Sequence, residues 1–238
     1  MSVLVVVEHD RGILAEASLE AFAFARSIAE QLGEPVDALL IGADAAGLAA
    51  VCAAHGANAV HHASIAGDSV GDYGPEAYGR VVASLAALLS PSGIVASGTD
   101  RGNEVLAQAA AELDLPFVAN CVSVKIDDEW DLTRVQWGGS LNEEARLASR
   151  LPIVSVAHHA VEAEEVSAGA TATITEHIVE LPEWVSRSVI QDRVVLSEGL
   201  TLATAPVVIG GGRGVGSAEG FKVLETLAER LGGVVGCS

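Results

Sequence analysis

Apolar residues arrive along this chain in short unbroken runs, separated by longer stretches in which they recur every three or four positions. Val3 to Val7 is the first run: five apolar residues with a β-branched bias, the pattern of a strand buried on both faces of a parallel sheet. Residues 16–32 then carry Leu19, Phe22, Ala23, Ala25, Ile28 and Leu32 at a helical period and stop at Gly33, which predicts a helix. The same reading predicts strands at 36–41, 58–62, 94–97 and 117–124. It predicts helices at 44–55, at 75–89 with Pro75 in the first turn, and at 102–113. Strand alternating with amphipathic helix is the signature of stacked βαβ units. The fold class is therefore expected to be α/β, a mostly parallel, doubly wound sheet with Val3 to Val7 at its centre.

After Val124 the pattern changes. Asp127, Asp128 and Glu129 form an acidic turn, residues 133–138 are strand-like, Gly139, Ser140 and Leu141 turn again, and 153–157 is another apolar run. An antiparallel ribbon appended to the parallel sheet fits this order. Residues 160–186 are mixed and acidic with one alternating segment, 172–179, read as the exit from a first domain spanning residues 1–195. A linker is expected over 196–204. Residues 205–238 begin a second βαβ pattern: an apolar run, a glycine-rich turn, an amphipathic helix, and a second apolar run. In that helix Phe221, Leu224, Leu227 or Ala228, and Leu231 form the stripe expected to face a sheet, and Gly232 and Gly233 supply the left-handed stop.

Charge changes the picture in one respect. The net charge is -19, with 32 acidic residues against 13 basic ones, and Lys125 and Lys222 are the lysines. A nucleic-acid partner is disfavoured, because backbone phosphates require a basic footprint. Scarce lysine beside abundant acid points to a halophilic, salt-loaded cytoplasm, with a GC-rich genome as the other explanation. The start meets acid within ten residues, where a signal peptide would carry base, so a cytoplasmic location is expected.

Candidate chemistry is sparse. Cys52, Cys121 and Cys237 lack zinc or redox spacing and read as buried free thiols. Neighbouring histidines such as His61 and His62 point to opposite faces of a strand and cannot chelate one ion together. No nucleophile elbow or paired carboxylates are present, and Glu143 and Glu144 read as solvated. Thr99, Asp100 and Arg101 follow a strand and precede a helix, where open α/β sheets place ligands, but Asp100 is the wrong charge for a phosphate cradle and helix capping is the better account. The turn around Gly212, Arg213 and Gly214 is different. Bare backbone N–H groups at a helix N-terminus favour an anion, and Arg213 adds a cation, although neither GxGxxG nor P-loop spacing is met.

The wording of that turn resembles the alpha subunit of electron transfer flavoprotein. Val207, Val208, Gly211, Gly212, Arg213 and Gly214 match the run that opens the family's flavin-binding domain, and Gly236, Cys237 and Ser238 match the G-x-S run after its first helix. Residues 93–103 and 133–147 are similar in pattern to the family's first domain. The resemblance implies an adenine-nucleotide-hydrolase-like first domain and the opening of a second, Rossmann-like FAD domain. It implies FAD as cofactor, with Arg213 and Ser238, beside Gly212 and Gly214, contacting it. It further implies an electron carrier rather than a substrate-converting enzyme, working as a heterodimer with a beta subunit between acyl-CoA or other dehydrogenases and a membrane quinone oxidoreductase. The family's flavin loops continue beyond the last residue here, so FAD binding by this chain alone is expected to be weak or absent. The alternative reading is a non-redox adenine-nucleotide-binding or regulatory α/β module.

Overall fold

The computed structural model describes residues 1–67, 73–166, 168–186, 188, 190, 202 and 205–237, and the chain divides into two units, Met1–Gln191 and Asp192–Ser238. The expected linker at 196–204 lies outside the described residues except for Leu202.

In the first unit β1 (Val3–Val6) runs into a small hairpin of β2 (His9–Asp10) and β3 (Ile13–Leu14), followed by α1 (Ala17–Leu32) and β4 (Val36–Ile41). Next come a 3-10 turn at Ala43–Leu48, α2 (Ala49–Ala54), β5 (Ala57–Ile65), α3 (Pro75–Leu89), β6 (Gly93–Ser97) and α4 (Asp100–Leu113). The unit continues with β7 (Phe117–Ile126), β8 (Trp130–Gln136), β9 (Leu141–Leu147), β10 (Ile153–Val156) and β11 (Thr173–Val179).

The main sheet has nine strands in the order β11-β5-β4-β1-β6-β10-β7-β8-β9. Pairing is parallel from β11 to β7, and β7, β8 and β9 form an antiparallel ribbon at one side. The mostly parallel sheet and the appended ribbon are thus as the apolar pattern indicates.

Because successive residues of β1 point to opposite faces, the strand serves two cores. Val3 and Val5 join Phe22, Ile28 and Leu40 on the face of α1 and α2, while Leu4 and Val6 join Leu39, Val81, Ile94 and Leu106 on the face of α3 and α4. Each such side chain, moved from water into the core, contributes about 1.5–3 kcal/mol.

Two expectations need correction. Residues 44–55 do not form one helix: an Ala- and Gly-rich run winds first as the 3-10 turn and only then as α2. The alternating segment near 172–179 is not merely an exit. It returns to the sheet as β11 and pairs in parallel with β5, Glu176 opposite His62.

The second unit contains β12 (Val208–Gly211), a 3-10 turn at Arg213–Val215, α5 (Ala218–Leu231) and β13 (Val234–Cys237), with β12 and β13 parallel. Gly232, at φ 65°, ends α5 as the glycine pair predicts. The apolar stripe of α5 is narrower than predicted. Ala228 is buried and Phe221 and Leu224 are half-buried, whereas Leu227 and Leu231 are exposed, since a sheet of only two described strands stands behind the helix.

Candidate functional site

Two places bring polar groups to the end of a sheet, and each is built within its own unit. In the first, β1 leads through α1 to β4 on one side while β6 lies on its other side, so strand order reverses at β1 and a crevice opens beyond the carboxyl ends of β1 and β6. Glu8 enters it. Its peptide is pinned by the buried Ser18 of α1: the Glu8 N–H donates to Ser18 Oγ at 2.8 Å, and that hydroxyl donates to the Glu8 carbonyl at 3.2 Å. The carboxylate then accepts from the hydroxyl of Thr99 and, at 3.2 Å, from that of Ser97.

Thr99 is the N-cap of α4, its Oγ1 accepting from the Gly102 N–H at 2.8 Å, which is the capping role expected of Thr99 or Asp100. Asp100 is exposed. A Cβ at Gly102 would collide with the Ser97 carbonyl oxygen, so only glycine lets the first turn of α4 close on the end of β6. Arg101 lies 4.5 Å over the Tyr73 ring and donates to the His9 carbonyl at 3.2 Å. Burial, together with a 2.5 Å hydrogen bond to Glu104, pushes the Tyr73 hydroxyl well above the usual phenol range. What remains open between Glu8, Tyr73, Tyr78 and Arg101 is a cavity of about 30 Å³.

A buried relay stands beside this crevice. Ser155, fully buried on β10, donates to Asn103 Oδ1 at 2.6 Å and accepts from the Asn120 N–H at 2.9 Å, tying α4 to β7 and β10. It leaves the polar atoms of Ser155 with partners where water cannot reach.

The second place is the glycine-rich turn between β12 and α5. Gly212 precedes the 3-10 turn that holds Arg213 and Gly214, and Gly216 closes it at φ 76°, a left-handed conformation that favours glycine. Ser217 caps α5, its Oγ accepting from the Gly220 N–H at 3.4 Å. Arg213 and Gly214 are exposed. The turn therefore brings Gly212, Arg213 and Gly214 together as the sequence suggests, at the positive end of a 14-residue helix. Ser238 lies outside the described residues. Ser217 escaped the sequence reading, although Ser before Ala-Glu-Gly and an apolar period is a recognisable capping signal.

The face of β12 and β13 turned away from α5 is a shallow concavity lined by Val208, Gly210, Gly212, Gly236, Cys237 and Leu202. Cys237 is exposed, contrary to the expectation of a buried thiol, because it ends a two-stranded sheet. Cys52 and Cys121 are buried, and burial pushes both thiols up to about 12.

Elsewhere the histidines of β5 split between faces. His61 Nδ1 stands 3.1 Å from His177 Nε2, while His62 Nδ1 stands 2.6 Å from Glu176 Oε2. Among the described residues no group of three or more His, Cys, Asp or Glu side chains could hold a metal ion. Glu143 is exposed, as the reading of it as solvated expects, and it also accepts from Gln136 and Arg134, which hold its carboxyl below the usual carboxylate range. No helix of the described residues is long and apolar enough to cross a membrane.

The two units correspond to two families of domain. Residues 3–182 match the electron transfer flavoprotein domain, and residues 201–238 match the electron transfer flavoprotein FAD-binding domain. The chain belongs to the electron transfer flavoprotein alpha-subunit family. It is 32% identical over 236 residues to the electron transfer flavoprotein subunit alpha of Mycobacterium tuberculosis, covering 99% of this chain and 72% of that protein. It is 29% identical to the corresponding subunit of Megasphaera elsdenii, with 99% and 71% covered. It is also 30% identical to Protein FixB of Clostridium saccharobutylicum, with 98% and 70% covered. In this chain the glycine-rich turn falls inside the segment that matches the FAD-binding domain, and the Glu8 crevice inside the segment that matches the other one.

Proposed function

We propose that this chain is the FAD-holding subunit of an electron carrier, paired with a beta subunit, that takes electrons from acyl-CoA or other dehydrogenases and passes them to a membrane quinone oxidoreductase. The observation that carries the proposal is the β12–α5 turn: an exposed arginine, a run of glycines and the capped N-terminus of α5 lie within the segment that matches the FAD-binding domain. The donor set suits a flavin nucleotide. Backbone N–H groups and Arg213 favour its anionic pyrophosphate. A Cβ at Gly214 would meet nothing within 4 Å among the described residues, so the turn is open on that side.

In this proposal Arg213 sets positive charge beside the cofactor, Gly212 and Gly214 admit close approach, and Ser238 adds a hydroxyl. The flavin, when bound, supplies the electron-accepting and electron-donating chemistry, and the protein supplies placement and electrostatics. The chain acts as a carrier and converts no substrate of its own.

The test is an FAD titration, followed by flavin fluorescence, of this chain and of a version extended to the length of its relatives. The short chain is expected to bind poorly, because a retained cofactor needs most of its surface enclosed. The extended protein is expected to bind, and Arg213→Ala to weaken it by roughly 1.5–3 kcal/mol through loss of a charge-assisted contact. Unchanged affinity in Arg213→Ala would remove Arg213 from the site, and an extended protein that takes no flavin would overturn the reading.

A further inference from the structure

We propose that Glu8 is a built-in anion that occupies the phosphate position of the first unit, so that the switch-point crevice of this chain is closed to phosphate monoesters and nucleotides by its own side chain. The juxtaposition that shows it is a carboxylate from the end of β1 received by the Ser97 and Thr99 hydroxyls, at the N-terminus of α4.

In a doubly wound sheet the crevice beyond the switch-point strands is where a nucleotide sits, with its phosphate on a helix N-terminus and nearby hydroxyls. This unit has those parts. The strand order reverses at β1, α4 is 14 residues long with its first turn held against β6 by Gly102, and Ser97 and Thr99 present hydroxyls at the same point. The ligand in that place is the chain itself. Glu8 Oε2 takes a hydrogen bond from each hydroxyl, and a negative charge at a helix N-terminus is favoured by the dipole. Among the described residues the cavity beside Glu8 is about 30 Å³, far below the several hundred Å³ of a nucleotide pocket.

Nothing holds Glu8 there by accident. Its peptide is bonded on both sides to the buried Ser18, and Ala15 N–H adds a 3.0 Å bond to the Glu8 carbonyl, so the side chain leaves a fixed backbone. The surroundings add to the exclusion: Asp100 lies in the first turn of α4, Asp10 meets Arg101, and Glu104 meets Tyr73. The cation that could serve a phosphate, Arg101, is occupied by the His9 carbonyl, Asp10 and the Tyr73 ring. The fold thus keeps two hydroxyls and a helix N-terminus at the switch point, with Glu8 in direct contact with the hydroxyls and the neighbouring acids disfavouring an external anion further.

The inference stands apart from the flavin reading, since it concerns the other unit and needs no FAD. The probe is inorganic phosphate, then adenosine monophosphate, titrated into the full chain and into Glu8→Ala, with amide NMR shifts of residues 98–103 as the readout. The wild-type chain is expected to show no saturable shift. Glu8→Ala, whose backbone bonds to Ser18 are unaffected, is expected to bind phosphate at least about tenfold more tightly than wild type, a ratio equivalent to one hydrogen bond to a charged group. Glu8→Gln, which keeps the volume and removes the charge, is expected to bind phosphate more tightly than wild type and less tightly than Glu8→Ala. It guards the comparison should Glu8→Ala fold poorly, since loss of the built-in charge alone should then raise phosphate affinity. Saturable binding by wild type, or no gain in phosphate affinity in a folded Glu8→Ala or, where that variant does not fold, in Glu8→Gln, would overturn the proposal.

Discussion

Replacing Thr99 by Val keeps the shape of the side chain and removes the hydrogen bonds of its hydroxyl. The two strong ones are the cap on the Gly102 N–H and the donation to Glu8, and a third, with Ser97 Oγ, is long at 3.5 Å. Loss of an N-cap costs about 0.5–2 kcal/mol. Loss of a hydrogen bond to a charged group costs about 1.5–3 kcal/mol, and here the lower end applies because Glu8 is half-buried and keeps Ser97 as a partner. Together these give a destabilisation of about 2–4 kcal/mol, equivalent to a fall of roughly 5–12 °C in melting temperature for a unit of this size. Urea unfolding can be followed by the fluorescence of the buried Trp130. Thr99→Ser, which retains the hydroxyl, should cost less than about 0.5 kcal/mol, because Ser caps about as well as Thr. In a Glu8→Ala background, Thr99→Val should cost only the cap, about 1 kcal/mol. If Thr99→Ser loses as much as Thr99→Val, or if the two sites prove additive, the coupling of Glu8 to the α4 cap is refuted.

Two further outcomes are expected. With a net charge of -19, self-repulsion should weaken the fold at low ionic strength, so melting temperature should climb between about 0.1 M and about 3 M salt, and a flat or falling profile would remove the halophilic reading. His61 has its pKa lowered by burial first, with His177 adding to the shift and Asp37 of β4 opposing it. Because the folded state binds this proton less readily than the unfolded one, its contribution is fully present above the ordinary histidine value near 6.5 and declines as pH falls through the lowered native value. Thermal melts between about pH 7.5 and about pH 5 should therefore be steeper for wild type than for His61→Gln, and equal slopes would contradict the assignment.

The fold was legible where one physical demand dominates. Val3 to Val7 and Ile153 to Val156 are buried on both faces, so their runs are continuous, and Gly33 stops α1 because only a left-handed residue fits there. Legibility failed where the demand is shared. β11 alternates, yet its regularly spaced apolar residues Ile174 and Ile178 are the exposed ones, and no local pattern tells that it will pair with β5. The stripe of α5 reads wider than the structure buries, because periodicity reports how a helix could pack and says nothing of how much sheet stands behind it. Arg213 was found through the wording of its turn. Glu8 was invisible: a carboxylate after a strand resembles any solvated acid until Thr99, 91 positions later, is seen to close on it.

The return of β11 to β5 has a temporal consequence. Glu176 meets its partner His62 across 114 residues, so the outer edge of β5 has no strand to pair with until the ribosome has made nearly all of the first unit. At about 5–20 residues per second, that interval lasts roughly 6–23 s. Throughout it the nascent chain carries an open parallel edge, the kind of surface that recruits another strand from a neighbouring chain. The polar residues on β5, His61, His62 and Ser64 among them, act during this wait as well as afterwards: an edge that is half polar is a poor template for a foreign apolar strand, yet it accepts His177 and Glu176 when they emerge.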